Sequence, residues 1–455
     1  MSLRRRTALS LLATALFITL WAAPSRAIEI KRMTLDNGAL LLVSEQHQLP
    51  MVTVKIAFDA GARRDPNGEA GLASLTARCL TLGAGQLNAE QFNQKVDFMG
   101  SSVSVDAGED FAEASFTSLA KYQGETLALL ADVIRHPALR DDDILHKRAE
   151  VVAAIKAAEQ QPGYVAGVAF RKQMFDDQPY GHSPDGSTET VAKLTPDEVR
   201  EFYHQHYKVG SAVIAVVGDV DANRIKAELE KQLAGPAGKV APQPVPQPPK
   251  VSSGVHLTII DRNVAQATLI LGFPGMERSN PDYYRFQVMN YVLGGGGFAS
   301  RLMQVVRSSA GLAYSIASEN DAGKFPGAIR IQLQTKNRSA NEAMKLVLQQ
   351  LARIRDQPVT DAELASAKKF LVGSFPLKFD RQSAIAEYML DVQLYGLGLD
   401  YMDKYPGYVN GVTREQVEET ARKYLHPDAM IVVAVANQGK AAINARNLQE
   451  EATQK

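Results

Sequence analysis

Cysteine is nearly missing. Among 455 residues only Cys79 is present, so no internal disulfide can form and no thiolate zinc site can be built. Net charge is missing too: 50 basic residues stand against 50 acidic ones, a balance that favours neither nucleic acid nor an anionic surface. No G-x-S-x-G occurs, which removes the serine-hydrolase elbow. The eight histidines are scattered. Only His204 and His206 are close-set, and on a helix positions i and i+2 face different ways; they read as a solvated pair beside Tyr203 and Tyr207. Asp141, Asp142 and Asp143 read as acids at a helix start, not as a calcium site.

What is there is ordinary globular material, 45% hydrophobic and 7% aromatic, in a chain too long for one domain. Residues 1–27 stand apart. Arg4, Arg5 and Arg6 precede an apolar run, and Ser25-Arg26-Ala27 closes it as a small-x-small cleavage site. This is the layout of a secretory signal peptide, which predicts an exported, periplasmic protein with no stable membrane anchor.

Along the rest of the chain, strands are expected over Met33–Val43 (with a turn at Asn37-Gly38), Val52–Ala60 and about 101–119. A helix after Asp65-Pro66-Asn67-Gly68 carries the stripe Leu72, Leu75, Cys79 and Leu82, which makes Cys79 a core residue. Ala89–Met99, a long region over Glu125–Glu159 broken near His136-Pro137, and Thr195–Tyr207 read as helices. Ala212–Gly218 reads as a strand, and Gly181–Ser187 as loop. Pro236–Pro249 holds six prolines and reads as an extended linker, 235–254. It divides the chain into halves, 28–234 and 255–450.

The halves resemble each other. Phe58–Asn67 aligns without gaps to Phe273–Asp282, and Thr195–Val217 pairs with Thr413–Val435 in a shared helix-then-strand pattern. A repeat that long means a duplicated domain, not a solenoid. Strands and long helices do not alternate strictly, so the expected class is α+β.

The chain is organised around Tyr291–Glu319, YVLGGGGFASRLMQVVRSSAGLAYSIASE. Gly294, Gly295, Gly296 and Gly297 are expected to lie outside any helix or strand, because glycine costs roughly 0.5–1 kcal/mol there. Ser300 is a candidate N-cap of a short helix ended by Gly311. Arg307 and Tyr314 then flank a chain reversal, two long donors able to converge on one acceptor oxygen.

This pattern, LGGG…SRL…VR…GLAYS, resembles the second-half signature of the pitrilysin/insulinase metallopeptidase family, which includes the mitochondrial processing peptidase. The resemblance implies two α+β half-domains facing each other across a cavity. It also implies that Arg307 and Tyr314 hold a substrate carbonyl near a zinc, with Gly294–Gly297 as a substrate-binding loop. In catalytic members a helix of the first half carries H-x-x-E-H, two zinc-binding histidines and a general base. The flanking GARRDPNGEAGL places that motif here on Ser74, Leu75, Thr76, Ala77 and Arg78. Ser74 and Arg78 hold the histidine positions and Ala77 that of the base, and arginine offers no lone pair. The third ligand position falls on Ala153 or Ala154. No metal is therefore expected in this chain. The resemblance implies a non-catalytic subunit of a heterodimeric zinc metallopeptidase, whose zinc-bearing homologous partner hydrolyses unfolded peptides. The alternative is a scaffold or peptide-binding protein of the same fold.

Overall fold

The computed structural model describes residues 28–234 and 238–453; the expected signal peptide lies outside them. The first half builds a six-stranded sheet from β1 (Lys31–Thr34), β2 (Leu40–Glu45), β3 (Met51–Phe58), β6 (Ser102–Ala107), β7 (Ala112–Leu119) and β8 (Val213–Gly218). A small hairpin, β4 (Gly83–Ala84) with β5 (Leu87–Asn88), stands aside. The second half builds a five-stranded sheet from β9 (Gly254–Asp261), β10 (Gln266–Pro274), β11 (Ala313–Asn320), β12 (Ala328–Lys336) and β13 (Ala429–Ala436).

The strand orders are β1-β2-β8-β3-β7-β6 and β11-β12-β10-β13-β9. With β1 set aside they are one topology, β2-β8-β3-β7-β6 matching β9-β13-β10-β12-β11. Each sheet has a single parallel pair, β2 with β8 and β13 with β9. Register agrees as well: Phe58 pairs with Ala112 and its repeat counterpart Phe273 with Ile329. Residues 238–253 carry neither helix nor strand. Their Gln243 lies on the first half, its amide donating to the Arg63 carbonyl at 2.6 Å.

The central strands β8 and β13 are buried on both faces, the pattern of a covered sheet. The cover on the inner faces is exchanged. The helix Pro162–Phe175, from the first half, lays Ala166, Phe170 and Met174 on Ile270, Ile431, Val433 and Val435 of the second sheet. Gly272 is required for this: a Cβ there would stand 2.3 Å from the Phe170 ring. The helix Gln382–Leu394, from the second half, packs Ile385, Ala386, Met389 and Leu390 against Leu42, Ala57, Val213, Ala215 and Val217 of the first sheet. At about 1.5–3 kcal/mol for each large apolar side chain buried, neither half is complete without the other's helix.

Two sequence expectations change. The helix Pro162–Phe175 falls where none was foreseen. The glycine run does not lie wholly outside helix, since Tyr291–Gly295 is a π-helical turn.

Candidate functional site

The first-half region that would hold a metal is the helix Leu72–Cys79. Its start is fixed by Asp65, whose buried carboxyl accepts the Gly71 and Ala73 amides at 2.8 and 2.7 Å. Burial pushes that carboxyl up to about 7. Burial likewise lowers the nearby His182 imidazole, whose Nδ1 stands 3.9 Å from Asp65. Cys79 is buried, and burial pushes its thiol up to about 12. It is inert core.

On the same helix, Ser74 donates its hydroxyl to Asp185 Oδ1 at 2.9 Å, and Arg78 donates through Nη2 to the same oxygen at 2.7 Å. Ala77 is fully buried. The guanidinium thus sets a fixed positive charge opposite Asp185, at a position that the resemblance gives to a metal ligand. Ala153 and Ala154 are exposed on the helix Asp141–Ala158. Among the described residues no cluster of three or more His, Cys, Asp or Glu could hold a metal. The residues at these positions do not fit zinc, since arginine and alanine offer it no lone pair.

Asp185 was not singled out in the sequence, where it sits within the loop expected over Gly181–Ser187. Two glycines bring that loop against the helix start: a Cβ on Gly186 would lie 2.2 Å from the Ala70 carbonyl, and one on Gly71 2.7 Å from that of Asp185. His206 is also corrected. It packs on Phe202 at 4.4 Å between ring centroids and burial lowers its pKa, so His204 and His206 are not a solvated pair.

In the second half, the stretch that carries Arg307 runs through two π-helical turns, Tyr291–Gly295 and Met303–Ser309, either side of a 3-10 turn, Gly297–Ala299. Such turns are rare and recur at functional sites. Gly294 is there for proximity, since a Cβ would meet Ser318 Oγ of β11 at 2.4 Å. Asn290 donates to the Ser318 carbonyl at 2.9 Å and accepts from its hydroxyl at 2.5 Å. Ser300 does not cap the following helix by accepting an amide; its hydroxyl donates to the Gly297 carbonyl at 2.7 Å. Gly311, at φ 65°, ends the segment as expected.

The buried Arg301 grips Glu363 with two parallel bonds of 2.7 and 2.9 Å. The Arg301 guanidinium holds the Glu363 carboxyl down at about 2. This clamp ties the glycine-rich segment to the helix Asp361–Ser374.

Arg307 and Tyr314 lie on consecutive elements that pack together, the second π turn and β11. Arg307 rests over the Phe298 ring, 4.8 Å from its centroid, and makes no ion pair among the described residues. Tyr314 sits at a bulge between Ala313 and Ser315, is 74% exposed, and has no side-chain partner among them. Neither lines the cavities of about 630 and 490 Å³ at the junction of the halves, and neither do Ser74 and Arg78. The two donors face outward from the chain.

Residues 41–184 match the family described as Insulinase (Peptidase family M16), and residues 193–371 that described as Peptidase M16 inactive domain. A Helicobacter pylori protein called non-peptidase homolog YmxG is 24% identical over 402 residues, which is 88% of this chain and 92% of that one. The crystal structure of a peptidase M16 inactive domain from Pseudomonas fluorescens superposes with TM-score 0.83 at 28% identity, covering 90% of this chain and 98% of that one. A chain of complex III2 from Candida albicans gives TM-score 0.77 at 15% identity over 93% of this chain and 100% of that one, a likeness of fold alone. The matched residues, the doubled sheet topology and the relatives agree, and the chain belongs to the M16, or insulinase, peptidase family as a non-catalytic member.

Proposed function

We propose that this chain is the non-catalytic subunit of a two-chain zinc peptidase, lending Arg307 and Tyr314 to a substrate carbonyl held at the zinc of a homologous partner. The observation that carries this reading is the contrast between the two halves. At the positions that the resemblance gives to the metal ligands, Ser74 and Arg78 are both engaged internally, on Asp185. On the other half, Arg307 is held only by a ring face and Tyr314 by nothing. An arginine fork without an ion pair and an exposed phenol, on elements that pack together, suit an acceptor oxygen from outside the chain.

In such a complex the partner's zinc would supply the activated water, and Arg307 and Tyr314 would donate to the carbonyl oxygen as negative charge develops on it. Export through the leader would set this in the periplasm. The scaffold reading draws on the fold shared with a complex III2 chain, but it gives no reason for two unpaired donors.

The test is co-expression with a homologue carrying an intact H-x-x-E-H. A heterodimer that hydrolyses unfolded peptides, with neither chain active alone, is the expected result. Separate elution at micromolar concentration, with the homologue's activity unchanged by mixing, would overturn the pairing.

A further inference from the structure

The exchanged helices are related by the internal repeat, and the spaces beside them should match. They do not. Beside Pro162–Phe175, Glu109 pairs with Arg171, and Arg330 reaches Asp321 at 2.7 Å and Glu319 at 2.9 Å. The pocket against that helix is about 10 Å³. Beside Gln382–Leu394 a cavity of about 630 Å³ remains, and none of its lining residues is basic.

Register explains the difference. Glu113 follows Ala112 on β7 as Arg330 follows Ile329 on β12, so an acid stands where the repeat has a base. Glu113 faces Glu387 and Asp391 of the helix from the other half. From β3, Lys55 reaches between them, 2.8 Å from Glu113 and in contact with Glu387. From β6, Asp106 adds another carboxylate. In the β6–β7 turn, Asp110 is already held by Arg63, Tyr180 and the Lys324 amide. Arg278, with Asp391 around the neighbouring cavity, also acts on that carboxyl. Lys55 therefore serves Glu113 and Glu387 directly, and acts with Arg278 on Asp391.

We propose that Glu113 and Asp391, set against Glu387 and Lys55 at the junction, form a proton-operated latch between the halves, closed when they are protonated and loosened when they ionise. This goes beyond the subunit role above and does not depend on it. Burial, and then Glu387, push the Glu113 carboxyl up to about 7. The same causes lift Asp391 to about 6 against the pull of Arg278 and Lys55. In an opened junction both would titrate near 4, as carboxyls in water do. Closed-state stability from these groups is therefore complete below about pH 4 and is lost as pH rises through 6–7. Each proton held only by the closed form changes the closing equilibrium by up to tenfold per pH unit within that window.

Hydrogen exchange of the full chain between pH 5.5 and 8, corrected for the intrinsic pH dependence of exchange, reads this directly. Protection of residues 382–394 and 112–119 should fall at least tenfold across the range. Glu113→Gln should flatten the fall, and Asp391→Asn should do so more weakly, standing alone if the first variant does not fold. Protection that stays constant with pH in the natural chain would overturn the latch. So would a fall that persists undiminished in both variants.

Discussion

A charge-assisted donor is worth most where charge develops during reaction. Arg307 and Tyr314 are such donors if the pairing holds, and removing one typically costs ~10²–10³ in turnover. Arg307→Ala and Tyr314→Phe should each slow peptide hydrolysis by the assembled complex at least tenfold, with assembly and the partner's zinc content unchanged. Arg307→Lys should rescue poorly, because an ammonium lacks the fork. Wild-type rates in both variants would hand the role to the scaffold. Arg301 makes a different prediction. Its hold on Glu363 depresses that carboxyl from 4.5 to about 2. The pair's contribution is therefore present above about pH 4.5 and is lost as pH falls toward 2. Arg301→Ala should destabilise the chain by about 1–3 kcal/mol at pH 6. Urea midpoints of the two proteins should converge as the pH is lowered through that window.

Among the elements, the exchanged helices are the most exacting. Gly272→Ala would drive a methyl into the Phe170 ring, and the Ile329 carbonyl at 2.9 Å blocks relief on another side. It should cost about 1–3 kcal/mol in chemical denaturation, and Phe170→Leu in the same chain should recover part of the loss. The helix that depends on this contact was the element hardest to see in sequence. Ala166, Phe170 and Met174 have helical spacing, but the surface they cover belongs to strands about a hundred residues or more away, and no local pattern announces it. The sheets were legible, because β8 and β13 are continuous apolar runs and Phe58 and Phe273 mark the repeat. The glycine run was legible as a special stretch but not as a π turn, since close approach to Ser318, and not chain freedom, decides its conformation. Asp185 stayed hidden for a similar reason: its partners Ser74 and Arg78 lie 111 and 107 positions away.

For the whole molecule, the linker carries little of the cohesion between halves. Protease cleavage within 238–253 should leave the two pieces eluting together under native conditions, because each still holds the other's sheet cover. Either half expressed alone should be insoluble or molten, and co-expression should restore a soluble pair. Separation of the nicked pieces at micromolar concentration would show that the exchange holds less than its buried surface implies. The exchange also bears on descent. A half-length ancestor with this topology would have had a bare sheet face and a helix with nothing to cover. Two copies passing helices to each other solve both problems at once. A doubled gene of that kind would have encoded an intertwined homodimer, and fusion would have turned two identical subunits into one polypeptide whose halves were then free to diverge.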